Sequence, residues 1–145
     1  MIYFDTSALA KKYVIETGSE EIARFMAGKS ILATSKLTYP EMLSALTRRS
    51  REGDIPHPKL KELLAEFEAD WKCLLIIDFQ DELLVSIKRL IEKYYLRAAD
   101  SIHLASALWL KHSTKENITF AASDTNLLNA ARAEKLSVFN PQDSS

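Results

Sequence analysis

Four carboxylates are the side chains of this chain best suited to chemistry: Asp5, Glu41, Asp100 and Asp124. Taken singly, each has a structural explanation. Asp5 and Asp124 can cap helices, a contribution of about 1 kcal/mol apiece. Glu41 stands three residues after Thr38, the spacing of a reciprocal capping box. Asp100 can complement a helix dipole, worth roughly 0.3–1 kcal/mol. Taken together, the four demand more. Carboxylates gathered within a few ångströms repel, and one must take a proton unless cations neutralise them. A cluster of hard oxygen donors is what Mg²⁺ or Mn²⁺ prefers, with water and substrate phosphate filling the remaining positions. Two such ions roughly 3.5–4 Å apart would clamp both oxygens of an in-line phosphodiester displacement, and no Ser, Cys or His nucleophile is needed.

The elements that must position these acids read as strands alternating with helices. A short β-prone run at 2–4 precedes a helical stretch at 7–16, which Gly18 breaks. A second helix opens at Ser19 and ends near Gly28, and 31–34 is another short strand. Thr38-Tyr39-Pro40-Glu41 reads as an N-cap, an early helical proline and a capping acid, opening a helix to about Arg51 that stops at Gly53. Leu60, Leu63, Leu64, Phe67 and Trp71 form one apolar helical stripe. Residues 74–79 read as a buried strand, 83–94 as an amphipathic helix, and 100–111 as a helix rich in Ala and Leu. The strand at 118–122, the helix at 124–134 and the strand at 137–139 complete the pattern. This alternation implies an α/β fold: right-handed crossovers, a parallel sheet and helices on both faces. In such folds ligands bind beyond the carboxyl ends of the strands. Asp5 and Asp124 each follow a strand, while Glu41 and Asp100 lie in first turns of helices, so all four are expected to converge on that edge.

Composition is consistent with one domain spanning residues 1–145: 47% hydrophobic and 27% charged residues are globular proportions. Cys73 has no partner for a disulfide and is expected to be a half-buried hydrophobe. The segment Met1-Ile2-Tyr3-Phe4-Asp5 lacks a basic region and meets an acid early, so no signal peptide, no membrane span and a cytoplasmic location are expected. The net charge of −1 conceals a remainder of +3 once the four acids are set aside. With the acids neutralised by cations, a polyanion would meet a mildly basic surface.

Four segments carry a resemblance. Residues 3–9 (YFDTSAL), 39–46 (YPEMLSAL), 96–105 (LRAADSIHLA) and 122–128 (ASDTNLL) resemble, in order, the successive motifs of PIN-domain ribonucleases, and more narrowly of VapC-type toxins. The resemblance implies a PIN-like α/β/α sandwich with a five-stranded parallel sheet and an Mg²⁺- or Mn²⁺-dependent endoribonuclease site. It also implies an RNA substrate, a homodimer and an antitoxin protein as partner. The family's acids carry over to Asp5, Glu41, Asp100 and Asp124 as catalytic and metal-binding residues, and its neighbouring hydroxyls match Thr6 or Ser7, and Ser123.

Other residues read more plainly. Arg48, Arg49 and Arg51 are ordinary cations of a last helical turn, with a phosphate-contacting rim as the functional alternative; Arg97, Lys11 and Lys12 read the same way. His103, one turn after Asp100, reads as a core or groove histidine rather than a ligand. Tyr94 and Tyr95 read as packing, His57 and His112 as solvated, and residues 142–145 as a frayed end. The apolar helices at 60–71 and 83–94 are rich enough in large residues to leave surface for a partner helix or second subunit. Two rival functions remain. A phosphoaspartyl enzyme would need a second Asp two residues after Asp5, where Ser7 stands. A non-cleaving PIN-like module that binds RNA or protein would not need the intact acid set.

Overall fold

The computed structural model describes residues 1–28 and 30–143. Strands β1 (Ile2–Phe4), β2 (Leu32–Ser35), β3 (Leu75–Ile77), β4 (Thr119–Ala121) and β5 (Ser137–Phe139) form one sheet in the order β3-β2-β1-β4-β5. Every pairing is parallel. The order reverses at β1, which sits at the centre, so all five carboxyl ends lie on one edge, with the switch point between β1 and β4.

The two-residue period of the strands divides the core between the faces. Ile2 and Phe4 join the layer containing α1 (Thr6–Ala10), α2 (Ser19–Ala27), α3 (Thr38–Arg51) and α4 (His57–Trp71). Tyr3 points the other way, with Ala33 and Phe120, into the layer of α5 (Leu83–Tyr94), α6 (Ala98–Thr114) and α7 (Thr125–Ala133). The expected α/β/α sandwich and its five-stranded parallel sheet are therefore present. No helix among the described residues is long and apolar enough to cross a membrane.

Several local expectations are corrected. The first helix ends at Ala10 rather than Glu16: the amides of Lys11, Lys12 and Tyr13 turn back three residues, to Ala8, Leu9 and Ala10. Tyr13 Oη is drawn to Asp70 of α4 at 2.6 Å, and the β-branched pair Val14-Ile15 does not favour continuing the helix. Within 74–79 only Leu75–Ile77 form a strand, at the sheet edge and paired with β2 alone; Leu75 is 40% exposed, and Phe79, beyond the strand, 56%. Cys73 is exposed, in the turn between α4 and β3. Helix α6 is longer than the expected 100–111 at both ends, running from Ala98 to Thr114.

The chain end also departs from its reading. Pro141–Asp143 form a short 3-10 helix with Pro141 buried, while Ser144 and Ser145 lie outside the described residues. Gly18 makes this packing possible. Its φ is +94°, and a Cβ placed there would stand 2.6 Å from the Cβ of Pro141 and 2.7 Å from its carbonyl oxygen. Gly18→Ala should accordingly cost about 1–2 kcal/mol from the left-handed backbone alone, and more from displacing Pro141. Chemical denaturation of the two proteins measures this, and equal midpoints would show that the tail does not pack on α2.

Candidate active site

Each acid is placed by a local structural cause. The β1–β4 ladder extends one residue past β1, where the Asp5 amide donates to Ala121 O at 3.1 Å. Asp5 then caps α1: Oδ1 accepts from the Ala8 amide at 2.9 Å, and Ser7 Oγ donates to Oδ1 and Oδ2 at 2.8 and 3.0 Å. Asp124 caps α7 through Oδ1 and the Leu127 amide, 2.9 Å. For these two the capping explanation holds, and it coexists with their place at the sheet edge.

For Glu41 the capping explanation fails. Helix α3 begins at Thr38 with Leu37 in the cap position, and no side chain caps it. Instead Thr38 Oγ1 lies 2.7 Å from Thr34 Oγ1, and Glu41 Oε1 accepts from Thr6 Oγ1 at 2.6 Å. His103 Nε2 stands 2.9 Å from the same oxygen. Asp100, in the first turn of α6, pairs with Arg97, whose Nε and Nη2 both lie 3.1 Å from Oδ2. Arg97 Nη2 is also 3.7 Å from Asp124 Oδ2.

All four acids line one cavity of about 350 Å³, together with Thr6, Ser7, Ser123, His103 and Arg97. The wider groove beside it, about 900 Å³, shares five of those residues and adds Lys11, Arg48 and Arg49. The acidic pocket thus opens into a groove along α1 and α3 where three cations meet one acid, Glu16, which pairs with the buried Lys11 at 3.1 Å and with Arg49 at 3.3 Å. Lys12 takes no part, being paired with Glu66 and Asp70. Arg51 does not line it either.

The electrostatics follow from burial. Asp5 is 5% exposed, and desolvation raises its pKa against the lowering effects of His103, the Ala8 amide and Ser7; the charge of Asp100 raises it further. At Glu41 burial also pushes upward, but the hydrogen bonds from His103 and Thr6 and the charge of His103 prevail, so the net shift is downward. The charge of Asp100 is the main cause holding Arg97 above its ordinary value.

The donor set fits a hard divalent cation in kind, being carboxylate oxygens flanked by hydroxyls. Ser123 Oγ strengthens the fit: it is buried and has no hydrogen-bond partner among the described residues, so a polar occupant of the cavity is needed to satisfy it. As the side chains stand, no three His, Cys, Asp or Glu groups among the described residues are gathered tightly enough to enclose a metal ion. Arg97 meanwhile supplies the nearest positive charge to Asp100 and Asp124.

The sequence placed His103 in the core or a groove, and it is buried on the edge of the cavity. What it missed is that the ring meets Glu41. The available signal was spacing, since His103 follows Asp100 by three residues and so shares its helix face. The roles of Thr6 and Arg97 beside the acids were likewise only half visible.

The comparisons agree with this geometry. A family model described as the PIN domain matches residues 2–133. Ribonuclease VapC45 of Mycobacterium tuberculosis is 32% identical over 108 residues, covering 74% of this chain and 75% of the relative. FitAcB from Neisseria gonorrhoeae superposes with a TM-score of 0.67 at 20% identity, covering 99% of this chain and all of that one. A toxin–antitoxin complex from Klebsiella pneumoniae gives 0.66 at 16% identity, with 97% and 98% covered. At those identities the two structures speak to the fold, and the family model and VapC45 to descent. The chain belongs to the PIN-domain family.

Proposed function

We propose that this protein is a divalent-metal-dependent endoribonuclease and the toxin of a toxin–antitoxin pair. The observation that carries the reading is the single cavity lined by Asp5, Glu41, Asp100 and Asp124 at the carboxyl edge of the sheet. The name of VapC45, a ribonuclease, supports the activity. The Klebsiella pneumoniae complex supports an antitoxin partner.

In this reading the four acids hold Mg²⁺ or Mn²⁺. The bound cation supplies Lewis-acid charge that polarises the phosphodiester and eases deprotonation of the attacking water. Asp5 and Glu41 provide the most enclosed oxygens, and their caps and hydrogen bonds hold them in place before substrate arrives. Ser123 Oγ is a free donor within the pocket for a water or a phosphate oxygen. Arg48 and Arg49 offer positive charge to the RNA backbone along the groove, which favours the phosphate-rim reading for these two. Arg97 shields Asp100 and Asp124 from one another until a cation or substrate competes for them.

Self-association is part of the proposal. The α4 stripe is largely absorbed by the core, with Leu60, Leu63 and Phe67 buried, so that helix leaves little surface. Helix α5 does leave surface: Leu84 and Val85 are 50% and 79% exposed. A two-fold dimer, the commonest homo-oligomer, is the expected form. The working place is the cytoplasm, where RNA is met.

Three outcomes are expected. Purified protein should cleave single-stranded RNA with Mg²⁺ or Mn²⁺, stop with EDTA, and lose at least a hundredfold in rate in Asp5→Asn. Metal-independent cleavage, or a fully active variant, would remove the reading; metal binding and RNA binding without cleavage would leave the non-cleaving alternative.

The same variant should be more stable than the parent at neutral pH without added metal. Asp5 has a raised folded-state pKa, so its favourable protonated form is present below the ordinary aspartate range and is lost as pH rises. The melting curves should therefore coincide in acid and separate above about pH 4, with Asn ahead by on the order of 1 kcal/mol at pH 7. A variant less stable at neutral pH would mean that capping outweighs the desolvation of Asp5. Sedimentation at micromolar concentration should give a dimer, and a clean monomer contradicts the assignment to α5.

A further inference from the structure

His103 is 2% exposed and comes from α6, in the helical layer opposite to α3 and Glu41. Its ring therefore bridges the two layers across the carboxyl edge of the sheet. Donor and acceptor chemistry fixes the direction of its contact with Glu41. The carboxylate only accepts, so the hydrogen of the 2.9 Å contact belongs to His103 Nε2. On the other side of the ring, Nδ1 stands 2.9 Å from Tyr3 Oη. Tyr3 has no exposed surface, so this contact holds the ring from the side opposite Glu41.

The hydroxyls beside it are equally constrained. Thr34 Oγ1 donates to Phe4 O at 2.7 Å, which makes Thr38 the donor in the 2.7 Å contact with Thr34. Thr6 Oγ1 spends its hydrogen on Glu41 Oε1 at 2.6 Å. Glu41 Oε1 thus receives two hydrogen bonds, from Thr6 and His103. Oε2 receives none among the described residues, although Glu41 lines the acidic cavity. One oxygen is occupied and the other is left with its lone pairs free for a cation.

We infer that His103 is a positioning residue for metal binding: held by Tyr3 at Nδ1, it donates from Nε2 and pins Oε1 of Glu41 so that Oε2 is offered to the cation. This rests on the reading of Glu41 as a metal ligand. Outer partners that orient a ligand in this way usually change metal affinity by roughly ten- to a hundredfold when removed.

The test uses the whole chain, with Mn²⁺ alone as the probe. His103→Gln retains an amide N–H near the position of Nε2, whereas His103→Asn reaches only as far as Nδ1. Both are polar and close in size to the parent, so a purely structural role would affect their melting points and affinities alike. Bound Mn²⁺, followed by electron paramagnetic resonance, should be roughly ten- to a hundredfold weaker in Asn and close to the parent in Gln. Independently of any metal, long-range proton–nitrogen spectra of the parent should show a hydrogen on His103 Nε2. Equal affinity of parent and Asn variant, or a loss in Gln as deep as in Asn, overturns the inference while leaving the metal site standing. So does an Nε2 found without a hydrogen, which decides the matter even if both variants fail to fold. A parent chain that binds no Mn²⁺ removes the metal-site reading itself, and the inference with it.

Discussion

Everything at this site depends on a carboxylate withheld from water at the end of the central strand. Asp5 follows β1, which has neighbours on both sides, and helices cover both faces of the sheet, so its side chain has nowhere solvated to go. An isolated buried charge is strongly unfavourable, and placing further carboxylates nearby compounds the penalty. The structure answers with local dipoles and hydrogens. The Ala8 amide and Ser7 hydroxyl serve Asp5, Thr6 and His103 serve Glu41, Arg97 serves Asp100, and the Leu127 amide serves Asp124. These partners reduce the repulsion without abolishing it. The upward shift at Asp5 is mainly the desolvation these partners leave uncompensated, with a smaller part from the charge of Asp100.

The doubly wound topology explains why the acids meet at all. Glu41 comes from the helical layer packed on Ile2 and Phe4, Asp100 from the layer packed on Tyr3, and Asp5 and Asp124 from the ends of adjacent strands. They belong to opposite faces of the sheet and share only its edge. His103 closes that edge from one layer to the other. Beyond it the groove is lined by Arg48 and by Arg49, which shares its charge with Glu16, so the same cleft carries positive charge beside a negative pocket. A cation in that pocket would reconcile the two signs.

Much of this was legible in the sequence, and what was not has physical causes. The alternation of elements, the parallel sheet and the presence of the four acids at one edge all follow from period and punctuation. The capping box did not form because its criterion is local. Thr38 and Glu41 had better partners, in Thr34 and Thr6, that only tertiary structure brings near. Residues 74–79 looked buried because an apolar run does not say whether its strand lies at the centre or the rim of a sheet. The first helix stopped early because Tyr13 is captured by Asp70, 57 residues away. The order at Pro141 depends on the bare Cα of Gly18, a contact no periodicity announces. His103 was readable as buried but not as the partner of Glu41, since that contact is a property of the assembled site.

The central claim, that these four carboxylates exist to hold a divalent cation, is tested most directly by diffraction. Crystals of the whole chain soaked in Mn²⁺ and measured for anomalous scattering should show density in the cavity, in contact with Asp5 and Glu41 and within reach of Asp100 or Asp124, with Arg97 moved aside. Anomalous density confined to other sites, or a cavity filled only by the Arg97 guanidinium at saturating Mn²⁺, would contradict the account.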